Sequence, residues 1–395
     1  MSLATAPSAP PTRRQCAGNG KDTKFSINSV PRVSVADLIA MPTTLSNYLL
    51  NLAKLARGDR VLHPLIATYY VTTQCNFNCA YCEYFGARRN RQAEEQLDLD
   101  RALRILRIIR TGVDSLILTG GEPLLHPDID QLITRAKDEV RFRHLTLLTN
   151  ASLLHDHEAI LPALDRLVIS LDSTDPVIWS EIIGTTPGVA HDVLNNIRTY
   201  AARQKELGYH LVVNCVVTPQ TLPQVRAVLN FCEEHHVLIS FSPQSVNNWP
   251  HYDLLTAQDY RDFIQHLIDR KRAGAPILGS LVYFKLLHDF TPYACYPLLV
   301  PRVMPNGDLI YPCRPIELSG TTRGGRPCNL LDVNSWDEAI RLALHDYDDP
   351  PQTCASCFQQ CFAEASLLQS HPVSLLSELR YAPSRHGAVW KHAPG

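Results

Sequence analysis

The sequence predicts an α/β protein: an incompletely closed barrel of six β/α units, followed by a small Cys-rich module. Between about residues 65 and 243, short apolar runs alternate with longer helical patterns; beyond 290 the chain is studded with Cys, Pro and Gly. Six strand–helix alternations at ~30-residue spacing mean parallel strands joined by crossover helices. An eight-unit barrel needs more material than this region holds. A short region with little apolar core and many cysteines has the make-up of a metal-stapled module.

Taken in order, residues 1–32 are rich in Pro, Ser, Thr, Arg and Lys and read as an N-terminal arm. Residues 33–62 form a helical preface, with Leu38, Ile39, Leu45, Leu49, Leu50, Leu52 and Leu55 as its apolar positions and a break near Pro42. Residues 63–245 hold the barrel. Its strand candidates are Leu65–Thr72, Asp114–Thr119, His144–Thr149, Leu167–Leu171, His210–Val217 and Val237–Phe241. Of the helices between them, Leu99–Thr111 is the clearest, with Leu103, Leu106 and Ile109 on one stripe. A helical connector at 246–290 leads to the Cys-rich module at 291–370 and a tail at 371–395.

Composition narrows the function. With 45% hydrophobic and 19% charged residues in 395, the chain can bury a sizeable core. Lys and Arg number 37 against 39 Asp and Glu, for a net charge of −2. That balance lacks the basic excess of a dedicated nucleic-acid binder. No apolar run approaches the ~18 residues of a membrane span, and the N-terminus lacks the layout of a secretory signal. A soluble, cytoplasmic protein is expected. Twelve cysteines are therefore not a disulfide framework, which belongs to small secreted chains.

Their clustering points to metal or redox chemistry. Cys75, Cys79 and Cys82 fall in the run Cys-Asn-Phe-Asn-Cys-Ala-Tyr-Cys, directly after the first strand candidate. Three thiolates on one short loop can hold three irons of a cuboidal [4Fe–4S] cluster and leave the fourth open to a substrate or cofactor. A structural zinc would want a fourth protein ligand, and a loop with three buried cysteines is the plainest alternative. At the end of the second strand stands Thr119-Gly120-Gly121-Glu122-Pro123. Alone it is most often a tight turn; one β/α unit after the Cys loop, it puts a carboxylate at the sheet edge where ligands of parallel α/β sheets sit.

This pair of motifs resembles the radical S-adenosylmethionine (radical SAM) superfamily over Leu65 to about Pro243. The resemblance implies that Cys75, Cys79 and Cys82 hold a [4Fe–4S] cluster whose open iron binds S-adenosylmethionine, with Tyr81 near the adenine. It implies that Gly120, Gly121, Glu122 and Pro123 recognise the methionyl ammonium, Glu122 supplying the charge. Val168–Asp172 resembles the family's fourth strand, Ser170 and Asp172 reaching toward the ribose, and Val213–Thr218 the fifth, with Asn214 near the cofactor. Ordinary polar residues at strand ends are the alternative for these. Many relatives carry Arg in the stretch matching Ser180–Gly184, where this chain has Ile182 and Ile183; cofactor-carboxylate recognition is then expected from elsewhere.

The C-terminal group comprises Cys295, Cys313, Cys328, Cys354, Cys357 and Cys361. It resembles the SPASM/twitch extension that follows radical SAM barrels and holds auxiliary [4Fe–4S] clusters. The gap from Gly307 to Cys313 is one residue longer than that pattern, and six irregularly spaced cysteines fall short of its extended form. One auxiliary cluster is expected, held by Cys295, Cys313, Cys354 and Cys357, with Cys361 or Cys328 as substitutes; a four-thiolate zinc site is the alternative. Other residues get plainer roles: a turn for His126, helix capping for His235 and His236, core packing for Cys215 and Cys232. Tyr283, Phe284 and Tyr293 are candidates for either substrate cavity or core.

The resemblance implies reductive cleavage of S-adenosylmethionine to a 5′-deoxyadenosyl radical, which abstracts hydrogen from a substrate C–H. A one-electron donor such as flavodoxin or ferredoxin would supply the electron. An auxiliary cluster favours an oxidation or dehydrogenation. Peptide-modifying relatives often carry a leader-binding domain of ~80 residues ahead of the barrel, more than the roughly 60 residues here, so a small metabolite is favoured over a peptide. A non-enzymatic metal-binding scaffold is the alternative of another class.

Overall fold

The computed structural model describes residues 43–85, 97–247, 249–313, 328–347 and 357–378. The predicted arm, the start of the preface, Cys354 and the end of the tail lie outside the described residues.

Six parallel strands form as the apolar runs predict: β1 (Ala67–Tyr70), β2 (Ser115–Thr119), β3 (His144–Thr149), β4 (Arg166–Ser170), β5 (His210–Val217) and β6 (Leu238–Pro243). They pair in sequence order, each joined to the next by a crossover. Leu116, Leu118, Leu145, Leu147, Leu167, Ile169, Leu211 and Val213 are fully buried. Residues of the opposite parity, such as Leu148, Ser170 and Val216, line the concave face. The register aligns the strand ends: Tyr70 lies opposite Thr119, Thr149 opposite Ile169, and Ser170 opposite Asn214.

Helix α1 (Thr43–Ala56) precedes β1, and the crossovers carry α2 (Leu99–Arg110), α3 (Ile129–Asp138), α4 (Pro176–Ile183), α5 (Pro187–Leu207) and α6 (Val225–Glu234). Helix α2 starts where Asp98 accepts from the Arg101 N–H at 2.9 Å, and it buries the predicted stripe of Leu103, Leu106 and Ile109 completely. Cys215 and Cys232 are core residues, as expected.

The preface helix α1 departs from the expected apolar stripe. Leu45 and Leu50 are exposed, and the buried face carries Asn47 and Asn51. The Asn47 amide donates to the carbonyls of Pro64 (2.7 Å) and Gly112 (2.9 Å), and Asn51 exchanges two hydrogen bonds with the His63 backbone. The buried Asp114 carboxylate accepts from the Thr43 and Thr44 N–H groups and so caps α1 from the start of the second β/α unit. Polar bridges to loop carbonyls replace apolar packing here, a pattern that hydrophobic periodicity does not reveal.

After β6 come a two-stranded ribbon, β7 (Ser245–Val246) and β8 (Trp249–Pro250), then α7 (Tyr252–Thr256), α8 (Gln258–Arg272) and α9 (Leu281–Asp289). The hairpin β9 (Arg302–Val303) and β10 (Leu309–Ile310) follows, then α10 (Trp336–Tyr347), α11 (Gln360–Ser370) and α12 (Pro372–Glu378). The Cys-rich region is continuous with the barrel. Strand β9 runs parallel to β1, Thr68 opposite Arg302, and β10 closes antiparallel on β9. The free edge of β1 would otherwise expose unpaired backbone groups; the Leu65 and Thr68 N–H groups instead donate to Leu299 and Pro301.

Helix α9 is held at its start by two carboxylates from the last helices. Glu364 accepts from the Ser280 N–H at 2.8 and 3.0 Å, and Glu378 from the Leu281 N–H at 2.9 Å. Burial pushes the Glu364 carboxyl up to about 7, aided by Glu378 and opposed by the Ser280 N–H. The folded state therefore holds a proton between pH 4.5 and about 7 that the unfolded chain has lost. Its contribution to stability is present below that window and falls as pH rises through it. Glu364→Gln is expected to flatten the decline of thermal midpoint across the same window; an unchanged slope would count against this assignment.

Candidate functional site

The Cys loop leaves the C-terminal end of β1 and is fixed on two sides. On one, the Gly121 and Glu122 N–H groups donate to the carbonyls of Thr72 (2.9 Å) and Gln74 (2.7 Å). On the other, the Asn78 and Ala80 N–H groups donate to Ile183 and Ile182, both at 2.9 Å. The glycines are required by the first contact. A Cβ on Gly120 would lie 2.5 Å from the Thr72 carbonyl oxygen, and one on Gly121 2.1 Å from that of Gln74. The Ile182–Ile183 stretch thus supports the loop through its carbonyls.

Between these supports Cys75, Cys79 and Cys82 line a cavity of ≈ 180 Å³ together with Gly120 and Gly121. Tyr81, Ser170 and Asp172 line it as well. The Tyr81 hydroxyl donates to Asp172 Oδ2 at 2.6 Å, and the Val216 N–H donates to Oδ1 at 2.7 Å, tying the Cys loop to the ends of β4 and β5. Burial pushes Asp172 up to about 6, against the pull of both donors.

Three predicted residues stand elsewhere. Glu122 and Pro123 do not line the cavity. The fully buried Glu122 carboxylate accepts from Thr149 Oγ1 (2.6 Å), the Leu124 N–H (3.0 Å) and the Asn150 N–H (2.7 Å). Burial pushes it up to about 7 while the three donors pull it down. It ties the glycine turn to the end of β3. Asn214 shares the parity of Val216 but lies deeper, accepting from Ser240 Oγ at 3.1 Å, and is not a lining residue.

The cavity also takes in Thr149, Asn150, Trp179, Ile183 and Val216, which the motif reading left out. Thr149 and Asn150 end β3 as Thr119 and Gly120 end β2, so the strand-edge rule could have found them. Trp179 and Ile183 enter from α4 and carry no comparable signal.

The donor set fits an iron–sulfur cluster. The thiols are half-buried on one cavity wall, and the Phe77 and Phe85 N–H groups donate to Cys75 Sγ (3.4 Å) and Cys82 Sγ (3.3 Å), as they would to thiolates. Burial, Asp172 and the two other thiols push Cys79 up, so its thiolate requires added positive charge. Among the described residues no three Cys, His, Asp or Glu groups converge as ligands of a single metal ion. A cuboidal cluster does not ask this, since each thiolate takes its own iron.

The C-terminal cysteines divide. Cys295, Cys313 and Cys357 are buried in one apolar cluster with Leu62, Leu299 and Phe362, and Cys361 packs against it. Cys328 belongs to the main core, its thiol directed at the Ala339 carbonyl at 3.6 Å. Tyr283 and Phe284 are fully buried core residues, and the Tyr293 hydroxyl donates to the Cys357 carbonyl. His126 stabilises its turn by accepting from the Asp128 N–H at 3.1 Å.

Residues 69–232 match the sequence profile of the Radical SAM superfamily. The chain is 28% identical over 249 residues to a probable GTP 3′,8-cyclase of Sulfolobus acidocaldarius, covering 61% of this chain and 73% of that protein. It is 31% identical over 168 residues to one of Methanococcus maripaludis, covering 42% of this chain and about half (53%) of that protein. Among solved structures it resembles Streptococcus suis SuiB bound to S-adenosylmethionine, with TM-score 0.53 and 23% identity over 82% of this chain and 74% of that one. It also resembles anSMEcpe with bound AdoMet, with TM-score 0.54 and 16% identity over 81% of this chain and 96% of that one. At these identities the structural likenesses show the fold.

Proposed function

The chain belongs to the radical SAM superfamily, and on that premise we propose that this enzyme oxidises or dehydrogenates a small metabolite at an unreactive C–H bond. The observation that carries the reading is the single cavity in which Cys75, Cys79 and Cys82 face Gly120, Gly121, Ser170 and Asp172. The bound cluster would supply the electron, received from a donor such as flavodoxin or ferredoxin, that cleaves S-adenosylmethionine and produces the hydrogen-abstracting radical. In this reading the three thiolates hold the cluster, and the backbone edge at Gly120 and Gly121 receives the methionyl end of the cofactor. Tyr81 stands toward the adenine, Ser170 and Asp172 toward the ribose. Glu122 acts from behind, holding the glycine edge in place. Phe77, Phe85 and Trp179 supply apolar walls that exclude water from a reactive intermediate.

Dehydrogenation removes a hydrogen atom and then an electron and a proton from the substrate; the proton passes to solvent or a base, and the electron requires an acceptor. Cys295, Cys313, Cys357 and Cys361 are assembled in one buried cluster, and we assign them, with Cys354 as the remaining candidate, to an auxiliary [4Fe–4S] cluster in that role. A peptide is the second substrate reading: a matched structure is described as anSMEcpe with bound AdoMet and the Kp18Cys peptide, at TM-score 0.51 and 15% identity.

Anaerobic reconstitution is expected to give about eight irons per chain, and dithionite with S-adenosylmethionine should yield 5′-deoxyadenosine. About four irons, unchanged when Cys295 and Cys313 are replaced, would remove the auxiliary cluster. Absence of 5′-deoxyadenosine from iron-loaded protein would remove the activity. A mass loss of two hydrogens in a metabolite pool, rather than in a peptide, decides between the two substrates.

A further inference from the structure

Arg302 lies on β9, fixed between Thr68 of β1 and Ile310 of β10, and is only 8% exposed. Its guanidinium lies over the Phe362 ring, 4.5 Å from the centroid. One Nη2 donates to Gln359 Oε1 at 3.1 Å and to Cys361 Sγ at 3.1 Å. Among the described residues no carboxylate pairs with it; the groups within electrostatic reach are Tyr70, Tyr84, Cys357 and Cys361. A buried cation without an anion is costly, and removing one partner of such a pair destabilises strongly. That cation is matched if the cysteines beside it bind as thiolates of a cluster whose net charge is negative, and Cys361 already accepts its N–H.

We infer that Arg302 is a positioning residue of the auxiliary cluster: its N–H···S bond to Cys361 orients that ligand and its charge raises the cluster's reduction potential. This rests on the auxiliary-cluster reading given above. Hydrogen bonds to ligand sulfur and nearby positive charge both favour the reduced, more negative state. Apolar surroundings at Leu62, Leu299 and Phe362 leave that charge little screened. Sheet pairing on both sides of β9 fixes the backbone from which the guanidinium reaches the sulfur.

The test uses full-length protein in which Cys75, Cys79 and Cys82 are all replaced by alanine, so that the C-terminal group alone carries iron. Redox titration followed by electron paramagnetic resonance is compared for this parent, Arg302→Gln and Arg302→Lys. Arg302→Gln should make the cluster about tenfold harder to reduce, a shift of about 59 mV to more negative potential for one electron, and Arg302→Lys should shift it less. Equal midpoints in all three overturn the role of Arg302 while leaving the cluster in place. A parent without C-terminal iron overturns the auxiliary cluster itself, and this inference with it. Should the Gln variant not fold, the parent with ¹⁵N-labelled arginine provides a second reading. Its reduced cluster should show an arginine coupling that Arg60→Lys leaves and Arg302→Lys removes. Arg60 is the appropriate control because it donates to the Cys295 carbonyl at 3.0 Å. No arginine coupling in the parent overturns the inference.

Discussion

Replacing Cys75, Cys79 and Cys82 together by alanine is expected to abolish formation of 5′-deoxyadenosine while leaving about four irons on the chain. The three thiols line one cavity, and no other cysteine among the described residues lines it. Cys295, Cys313 and Cys357 lie in a separate apolar cluster, with Cys361 packed against it. Loss of the first group should therefore remove the open iron on which S-adenosylmethionine docks without disturbing the second. The fold should survive: the loop's supports are backbone hydrogen bonds to Thr72, Gln74, Ile182 and Ile183, which need no thiol. Continued 5′-deoxyadenosine formation by the triple variant would refute the assignment of the loop. Loss of all iron would instead mean that the C-terminal group does not hold a cluster independently.

The parallel strands were legible because buried parallel strands are written as short apolar runs between helical patterns, and His144–Thr149 and His210–Val217 match their predicted bounds to the residue. The hairpin of β9 and β10 was not legible as part of that sheet. Two-residue strands carry no periodicity, and what recruits them is the free edge of β1, a property of the assembled sheet. The cavity was half legible. Thiols, glycines and strand-end polar residues announce themselves by type and spacing. Glu122 was legible only by type: a carboxylate beside two glycines reads as a ligand, while its hydrogen-bond partners Thr149 and Asn150 lie a full β/α unit away in sequence. Arg302 was invisible, since only the fold sets an isolated arginine beside a cysteine 59 positions later.

Gly121→Ala is expected to weaken S-adenosylmethionine binding by about 5- to 150-fold, the equivalent of the 1–3 kcal/mol typical of overpacking a tight site. The added methyl would stand 2.1 Å from the Gln74 carbonyl oxygen, with the Thr73 carbonyl oxygen also at 2.9 Å. Both are backbone atoms of the Cys loop, so relief requires the loop to move as a unit. Movement breaks the hydrogen bonds from Gly121 to Thr72 and from Glu122 to Gln74. The thiols would then be displaced relative to Ser170 and Asp172, which line the same cavity. Iron can remain, because all three ligands travel on the same loop; cofactor affinity should fall, because in the proposed pose it draws on the loop and the strand ends together. Gly188→Ala is the matched control: its Cβ meets nothing closer than 3.8 Å, and it lies in the first turn of α5. There alanine should leave binding unchanged and slightly raise the thermal midpoint. Equilibrium dialysis with S-adenosylmethionine alongside iron analysis separates the two effects. Wild-type affinity in Gly121→Ala would mean that the glycine edge and the Cys loop do not form one binding surface.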